Sequence, residues 1–346
     1  MKAIIAGMVL AMASAPAWGQ SGGLNNADLS ERTSITDPAL AVRSVQDQWI
    51  AFSVPVVAGT RSPCCWKGNW ANWKDGITEL GCSLTQEHQS FGTQSDSPET
   101  ENVIVLGKVH QGAVSGLRVV GEQCPVDGGG EQVLWIGEVE STAGLNWLET
   151  VARSDKKESV SHSALFALAL YRDDEANRRL YEMALTPDAN YQEEAIFWLG
   201  EGRGDQGLES LQRLLTELPN GDTRQQINFA LAQNGSKTAF DLLTDISRTD
   251  ADPEQKSNAL FWLADEFPEQ ARDILLEVIA SEQDPEVLEQ TVFAISQLPP
   301  EMRSQMLLDL ARDTQQTKAV RRQALFWLAN SDDDQAVAAL TDLLTQ

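Results

Sequence analysis

Phenylalanine recurs at Phe166, Phe197, Phe229, Phe261, Phe293 and Phe326, at intervals of 31, 32, 32, 32 and 33 residues. Two residues before each stand Ala164, Ala195, Ile227, Ala259, Thr291 and Ala324, and two after each stand Leu168, Leu199, Leu231, Leu263, Ile295 and Leu328. Fourteen residues on there is always a leucine: Leu180, Leu211, Leu243, Leu275, Leu307 and Leu340. About one helical turn later come Ala184, Leu215, Ser247, Ile279, Ala311 and Leu344. Each unit therefore holds two amphipathic helical segments. Pro187, Pro219-Asn220-Gly221, Asp252-Pro253 and Asp284-Pro285 separate the units. One such pair cannot bury its own apolar face, whereas a stack of them makes a continuous core. The spacing predicts an α-solenoid of about six helical hairpins over 154–346, with all six phenylalanines buried.

Trp198, Trp262 and Trp327 follow their phenylalanines in alternate units, where Ala167, Ala230 and Ala294 stand in the others. Large against small fits packing between successive units, and the same pattern would serve three indoles presented as binding anchors. His162, the one imidazole of this region, lies four residues before Phe166 and reads as structural or solvated.

The recurring Ala-x-Phe-Trp-Leu at 195–199, 259–263 and 324–328 has Leu twelve residues after each final Leu, and Arg321, Ala324, Trp327 and Leu328 complete an Arg-x-x-Ala-x-x-Trp-Leu form. This resembles HEAT repeats, particularly the short units of exported bacterial HEAT-repeat proteins and the HEAT-like repeats named after phycobilisome lyases. Cys-Cys-Trp at 64–66 and Gly-Cys-x-Leu at 81–84 look like regions that precede such repeats in exported proteins. The resemblance implies a scaffold and does not select a chemistry. HEAT-like hydroxylases hold two irons through paired His-Glu dipeptides; the three histidines here, His88, His110 and His162, are followed by Gln, Gln and Ser, so that activity is expected to be absent.

Ahead of the repeats, residues 1–19 read as a signal peptide: Lys2, an apolar run from Ala3 to Ala13, and the small-residue stretch Ala15-Pro16-Ala17-Trp18-Gly19, with cleavage after Ala17 or Gly19. A soluble protein of the bacterial periplasm or exterior is the expectation. Residues 20–44 are polar and read as a flexible start, and 45–153 as a small β-rich region. Ile50, Phe52 and Val54 alternate with Ala51 and Ser53 in a strand that ends or lies at an edge at Pro55, with Trp49 facing solvent or a second layer. Further strands are expected at Val103–Val109, Leu117–Val120 and Gln132–Val139, and a helix over Ser141–Arg153. Cys64, Cys65, Cys82 and Cys124 all lie here. In an oxidising compartment they form two bridges, Cys64–Cys82 with Cys65–Cys124 or the crossed alternative, because joining neighbours strains the ring. Trp66 and Trp70 are candidate anchors for glycan or peptide.

Lys and Arg number 26 against 51 Asp and Glu, a formal net charge of −25. Such a field repels nucleic acid, anionic membranes and other polyanions. Residues 154–346 carry 35 of the acids and 17 of the bases, with runs at Asp173-Asp174-Glu175, Asp250-Ala251-Asp252 and Asp332-Asp333-Asp334. No residue set has the spacing of a nucleophilic, metal or cofactor site, so no catalytic group, cofactor or metal is assigned. The expectation is a non-enzymatic scaffold that binds a protein with a basic or mixed surface, with Trp66, Trp70, Trp198, Trp262, Trp327, Asp332, Asp333 and Asp334 as candidate contacts and with self-association through the last repeat. The alternatives are an enzyme with a site between the N-terminal region and the first repeats, and an envelope glycan or peptide binder using the N-terminal aromatics.

Overall fold

The computed structural model describes residues 18, 23–67, 79–86, 90–92, 97–154, 158–187, 190–218 and 221–331. Trp70, His88, Asp332, Asp333, Asp334, Leu340 and Leu344 lie outside them, as does the side chain of Trp66. The chain forms two compact units, Met1–Asp173 and Asp174–Gln346.

The first unit contains strands β1 (Leu24–Asn25), β2 (Asp28–Glu31), β3 (Gln48–Pro55), β4 (Cys64–Lys67), β5 (Glu79–Leu80) and β6 (Cys82–Ser83). These are followed by β7 (Ser90–Gly92), β8 (Asn102–His110), β9 (Ala113–Gly121), β10 (Val126–Asp127) and β11 (Gln132–Glu138). Helix α1 (Pro38–Ser44) precedes β3, while α2 (Ser141–Ala152) and α3 (Glu158–Leu170) follow β11. The main sheet has the order β2-β11-β3-β8-β9. β3, β8 and β9 form an antiparallel meander, and β11 joins β3 and β2 in parallel. Pro55 ends β3; the strand itself is internal.

Alternation along β3 divides its side chains between two layers. Ile50, Phe52 and Val54 share a face with Val103 and Val105, and Phe52 meets the Trp147 ring of α2 edge to face at 5.4 Å. Trp49, Ala51, Ile104, Leu106, Val133 and Trp135 lie on the opposite face and pack with the four cysteines. Trp49 thus points into a second layer and is 2% exposed.

Of the two pairings open from sequence, the structure contains Cys64–Cys124 and Cys65–Cys82. The bridges close loops of 60 and 17 residues, worth roughly 4 and 3 kcal/mol on the chain-entropy account. They tie β4 to β6 and to the segment before β10, strands too short to hold their own register. Trp18 joins the same core: its indole Nε1 donates to the Glu122 carbonyl at 3.0 Å, and its ring lies 6.2 Å from that of Trp135.

Residues 23–44 correct the expectation of a flexible start. β1 pairs with β10 and β2 with β11, and α1 starts at Asp37, whose carboxylate caps the Ala39 amide, and buries Ala41 and Val42. The pairing partners stand about a hundred residues away, so local polarity carried no trace of them. α3, the first helix with the repeat pattern, belongs to the first unit, and Ser161 Oγ bonds the Ala152 carbonyl of α2.

The second unit is a run of helices: α4 (Asp174–Ala184), α5 (Gln192–Gly202), α6 (Gly204–Glu217), α7 (Gly221–Asn234), α8 (Lys237–Thr249), α9 (Pro253–Glu266), α10 (Pro268–Ser281), α11 (Pro285–Gln297), α12 (Pro300–Arg312) and α13 (Lys318–Ala329). Several of the acids in turns are helix caps. Asp252 accepts from the Glu254 amide and Asp284 from those of Glu286 and Val287, each followed by a proline at the first helical position. Others form ion pairs: Arg224 with Asp250 and Lys256 with Glu282 at 2.9 Å link the start of a repeat's first helix to the end of its second, and Arg248 with Glu277 at 2.5 Å joins consecutive repeats.

The Lys256 ammonium and the Asp284 and Gln283 amides hold the Glu282 carboxyl at about 2, below its ordinary 4.5. A depressed folded value adds stability that is present above about 4.5 and lost as pH falls towards 2. Glu282→Gln should therefore flatten the acid limb of a stability-against-pH curve, measured by denaturant melts between those values, and leave the neutral limb parallel to wild type.

Candidate functional site

The first helices of successive repeats, α5, α7, α9, α11 and α13, carry the recurring aromatic positions. Their apolar stripe is set by Ala195, Ile196 and Leu199 in α5, Ala259, Leu260 and Leu263 in α9, and Ala324 and Leu328 in α13, all fully buried apart from Leu325, the counterpart of Ile196 and Leu260. At roughly 100° per residue, the phenylalanine two positions after the stripe's first alanine lies about 150° from the stripe centre. It cannot enter the core between the two helices of its own repeat.

This corrects the expectation of six buried phenylalanines. Phe166 alone is buried; Phe197, Phe229, Phe261 and Phe293 are half-buried, and Phe326 is 52% exposed. The rings instead pack along the array. Phe197 touches Trp198 edge to face at 4.9 Å and stacks on Phe229 at 6.0 Å. Phe229 meets Trp262 at 5.0 Å, which meets Phe261 at 4.9 Å. Phe261 stacks on Phe293 at 5.9 Å with planes 8° apart, Phe293 meets Trp327 at 5.2 Å, and Trp327 meets Phe326 at 5.1 Å.

Trp198, Trp262 and Trp327 are therefore brought together, with their phenylalanine neighbours, in one file of eight rings over five repeats. The alternation of Trp and Ala gives packing complementarity, since Trp262 and Trp327 each span to the Phe of the preceding repeat, where Ala230 or Ala294 stands beside that Phe. The close approach of α5 and α7 needs Gly200, because a Cβ there would lie 2.3 Å from the Ala230 carbonyl oxygen.

The polar surroundings are amides and carboxylates. Trp198 Nε1 donates to Glu194 at 2.7 Å; the buried Nε1 groups of Trp262 and Trp327 meet no acceptor among the described residues. Asn228 Nδ2 donates to Asn258 Oδ1 at 3.0 Å between α7 and α9. Glu201, one turn after Phe197, has its pKa raised by burial. Side chains of this kind bind through apolar contact and hydrogen bonding, and nothing in their arrangement supplies a nucleophile or a metal ligand set.

Among the described residues, the cluster closest to metal geometry is Cys64, Cys82 and Cys124, and all three are in disulfides. His110 faces Asp47 at 2.5 Å on the surface, and His162 faces Glu158 at 3.8 Å. No described helix is long and apolar enough to cross a membrane.

Because Phe261 lies beside the core and Leu263 within it, Leu263→Ala should cost about 3 kcal/mol and Phe261→Ala about 2 kcal/mol, reduced by its partial exposure. Urea melts of the two variants give the order directly.

The model of the PBS lyase HEAT-like repeat matches residues 320–346. No curated protein matches the chain. Among solved structures, AlkD2 from Streptococcus mutans is similar at 13% identity and a TM-score of 0.39, over 56% of this chain and 100% of that one. Human deoxyhypusine hydroxylase in complex with glycerol is similar at 16% identity and a TM-score of 0.26, over 58% of this chain and 77% of that one. Likeness at this level assigns neither protein's activity to this chain.

Proposed function

We propose that the chain is a HEAT-repeat protein serving as a non-enzymatic scaffold of the periplasm or cell exterior, and that it binds another protein through the aromatic file of its second unit. The file carries the reading: eight rings in unbroken contact, mostly half-exposed, give an extended surface whose loss of water on binding is favourable. Aromatic side chains of this kind dominate the energetics of protein interfaces. The acid excess around them favours a partner with a basic or mixed surface and disfavours nucleic acid.

The test is capture from cell-envelope extract by the mature protein, followed by binding kinetics with the captured protein. Phe326→Ser changes the most exposed ring and should weaken binding at least about tenfold while the fold melts as wild type; the association rate should fall as salt rises from about 50 to 500 mM. Retention of full affinity in both Phe326→Ser and Trp262→Phe would remove the file from the interface. Turnover of a small molecule by the purified protein would replace the scaffold reading.

Export is supported by the two disulfides and by the leader-like sequence before residue 18. Trp18 packs into the disulfide core, so cleavage after Ala17 retains a core residue that cleavage after Gly19 would discard. N-terminal sequencing of the secreted protein should begin at Trp18; a start at Gln20 would contradict this assignment.

A further inference from the structure

On the second helices of two successive repeats, apart from the aromatic file, α10 and α12 border a groove of about 490 Å³. Its apolar lining is Leu276, Ile279 and Ala280 of α10 and Met302, Met306 and Leu310 of α12. Leu276 is 37% exposed and Met302 half-buried, so both offer apolar surface to a ligand. Ile279, Met306 and Leu310 are buried and form the floor.

The two accessible groups depart from the pattern of the repeat. One and two periods before Leu276 stand Thr244 and Gln212, and Met302 stands where the preceding repeats have Gln270, Thr238 and Gln206. Polar residues serve at these positions elsewhere in the array, so stacking of the repeats does not demand an apolar group at either. Both apolar replacements line the same groove, from opposite helices.

The charge around the groove is one-sided. Glu301, Asp309 and Asp313 lie along α12, and Arg272 is the one base among the described residues that line it. Asp309 accepts from Gln305 Nε2 at 2.9 Å, and Asp313 from the Gln315 amide at 2.9 Å and Gln316 Nε2 at 3.2 Å, all uncharged donors. Among the described residues, no cation pairs with any of these carboxylates. From Glu301 to Asp313 the helix rises about 18 Å, a little over three turns.

We propose that this groove binds an amphipathic helix of a partner protein, about three turns long, its apolar stripe on Leu276 and Met302 and its lysine or arginine flank along Glu301, Asp309 and Asp313. An amphipathic helix laid in an apolar groove is a recurring mode of recognition, and the unbranched thioethers of Met302 and Met306 adapt to the side chains that enter. Charge selects the occupant. A second copy of the chain carries a net −25, and residues 332–346 of the chain itself carry four acids and no base, so like charge disfavours both.

Residues 18–346 hold three methionines, Met183, Met302 and Met306. Labelling the mature chain with ¹³C at the methionine methyl groups therefore places two reporters in the groove and a third, Met183, fully buried in α4. The probe is a synthetic peptide of about 14 residues with leucine at i, i+3, i+4 and i+7 spacing and lysine elsewhere; its control has the same composition, scrambled so that no face is apolar. The amphipathic peptide should shift the Met302 and Met306 signals saturably and leave Met183 in place, and the control should shift none. Leu276→Gln, the residue type of Gln212 at this position, should weaken binding about tenfold. Arg272→Gln, which removes the groove's base, should tighten it, and tightening cannot come from a variant that has failed to fold. An equal response to the scrambled peptide, no saturable shift at Met302 and Met306, unchanged affinity in Leu276→Gln, or no tightening in Arg272→Gln would each overturn the proposal.

Discussion

Everything in the second unit depends on burial that no single repeat can complete. A pair of short helices shares one apolar stripe, and the stripe's outer flank stays wet until the next pair covers it. Ala195, Ile227, Ala259, Thr291 and Ala324, with their partners four residues on, are fully buried because successive pairs meet there. Alanine at 195, 259 and 324 lets the helices approach, and Gly200 carries that to the limit against the Ala230 carbonyl. The ion pairs Arg224–Asp250 and Lys256–Glu282 then close single repeats, and Arg248–Glu277 joins one repeat to the next. The exposed Arg248–Glu277 pair contributes little, as surface pairs do, and burial contributes most.

The aromatic file follows from that geometry. Once the alanine and leucine of each stripe are committed to the core, a phenylalanine two residues after the alanine has nowhere to go except sideways along the array. Ring-to-ring contact is the remaining way for it to leave water. A file built in this way is both structure and surface: its inner edges join repeats, while its outer edges stay in contact with solvent.

The first unit solves a different problem. Its small sheets, β1-β10-β6 and β5-β4-β7, contain strands of two to four residues that are too short to persist alone. Two disulfides and the large rings of Trp18, Trp49 and Trp135 gather them against one face of the main sheet, and α2 covers the other.

The sequence by itself determined the repeat, its period, its helical pairs, the main strands and the presence of two bridges, because each is written in local periodicity or in residue chemistry. The 3.6-residue period even contained the sideways placement of the phenylalanines, had the angle from Ala195 to Phe197 been weighed above the regularity of the spacing. Tertiary structure alone decided the rest. Whether Cys64 met Cys82 or Cys124 turned on which strands lie beside β4, and the folding of residues 23–44 turned on β10 and β11, about a hundred residues distant. Side chains far apart in sequence carry no mutual signal until backbone pairing brings them to one face.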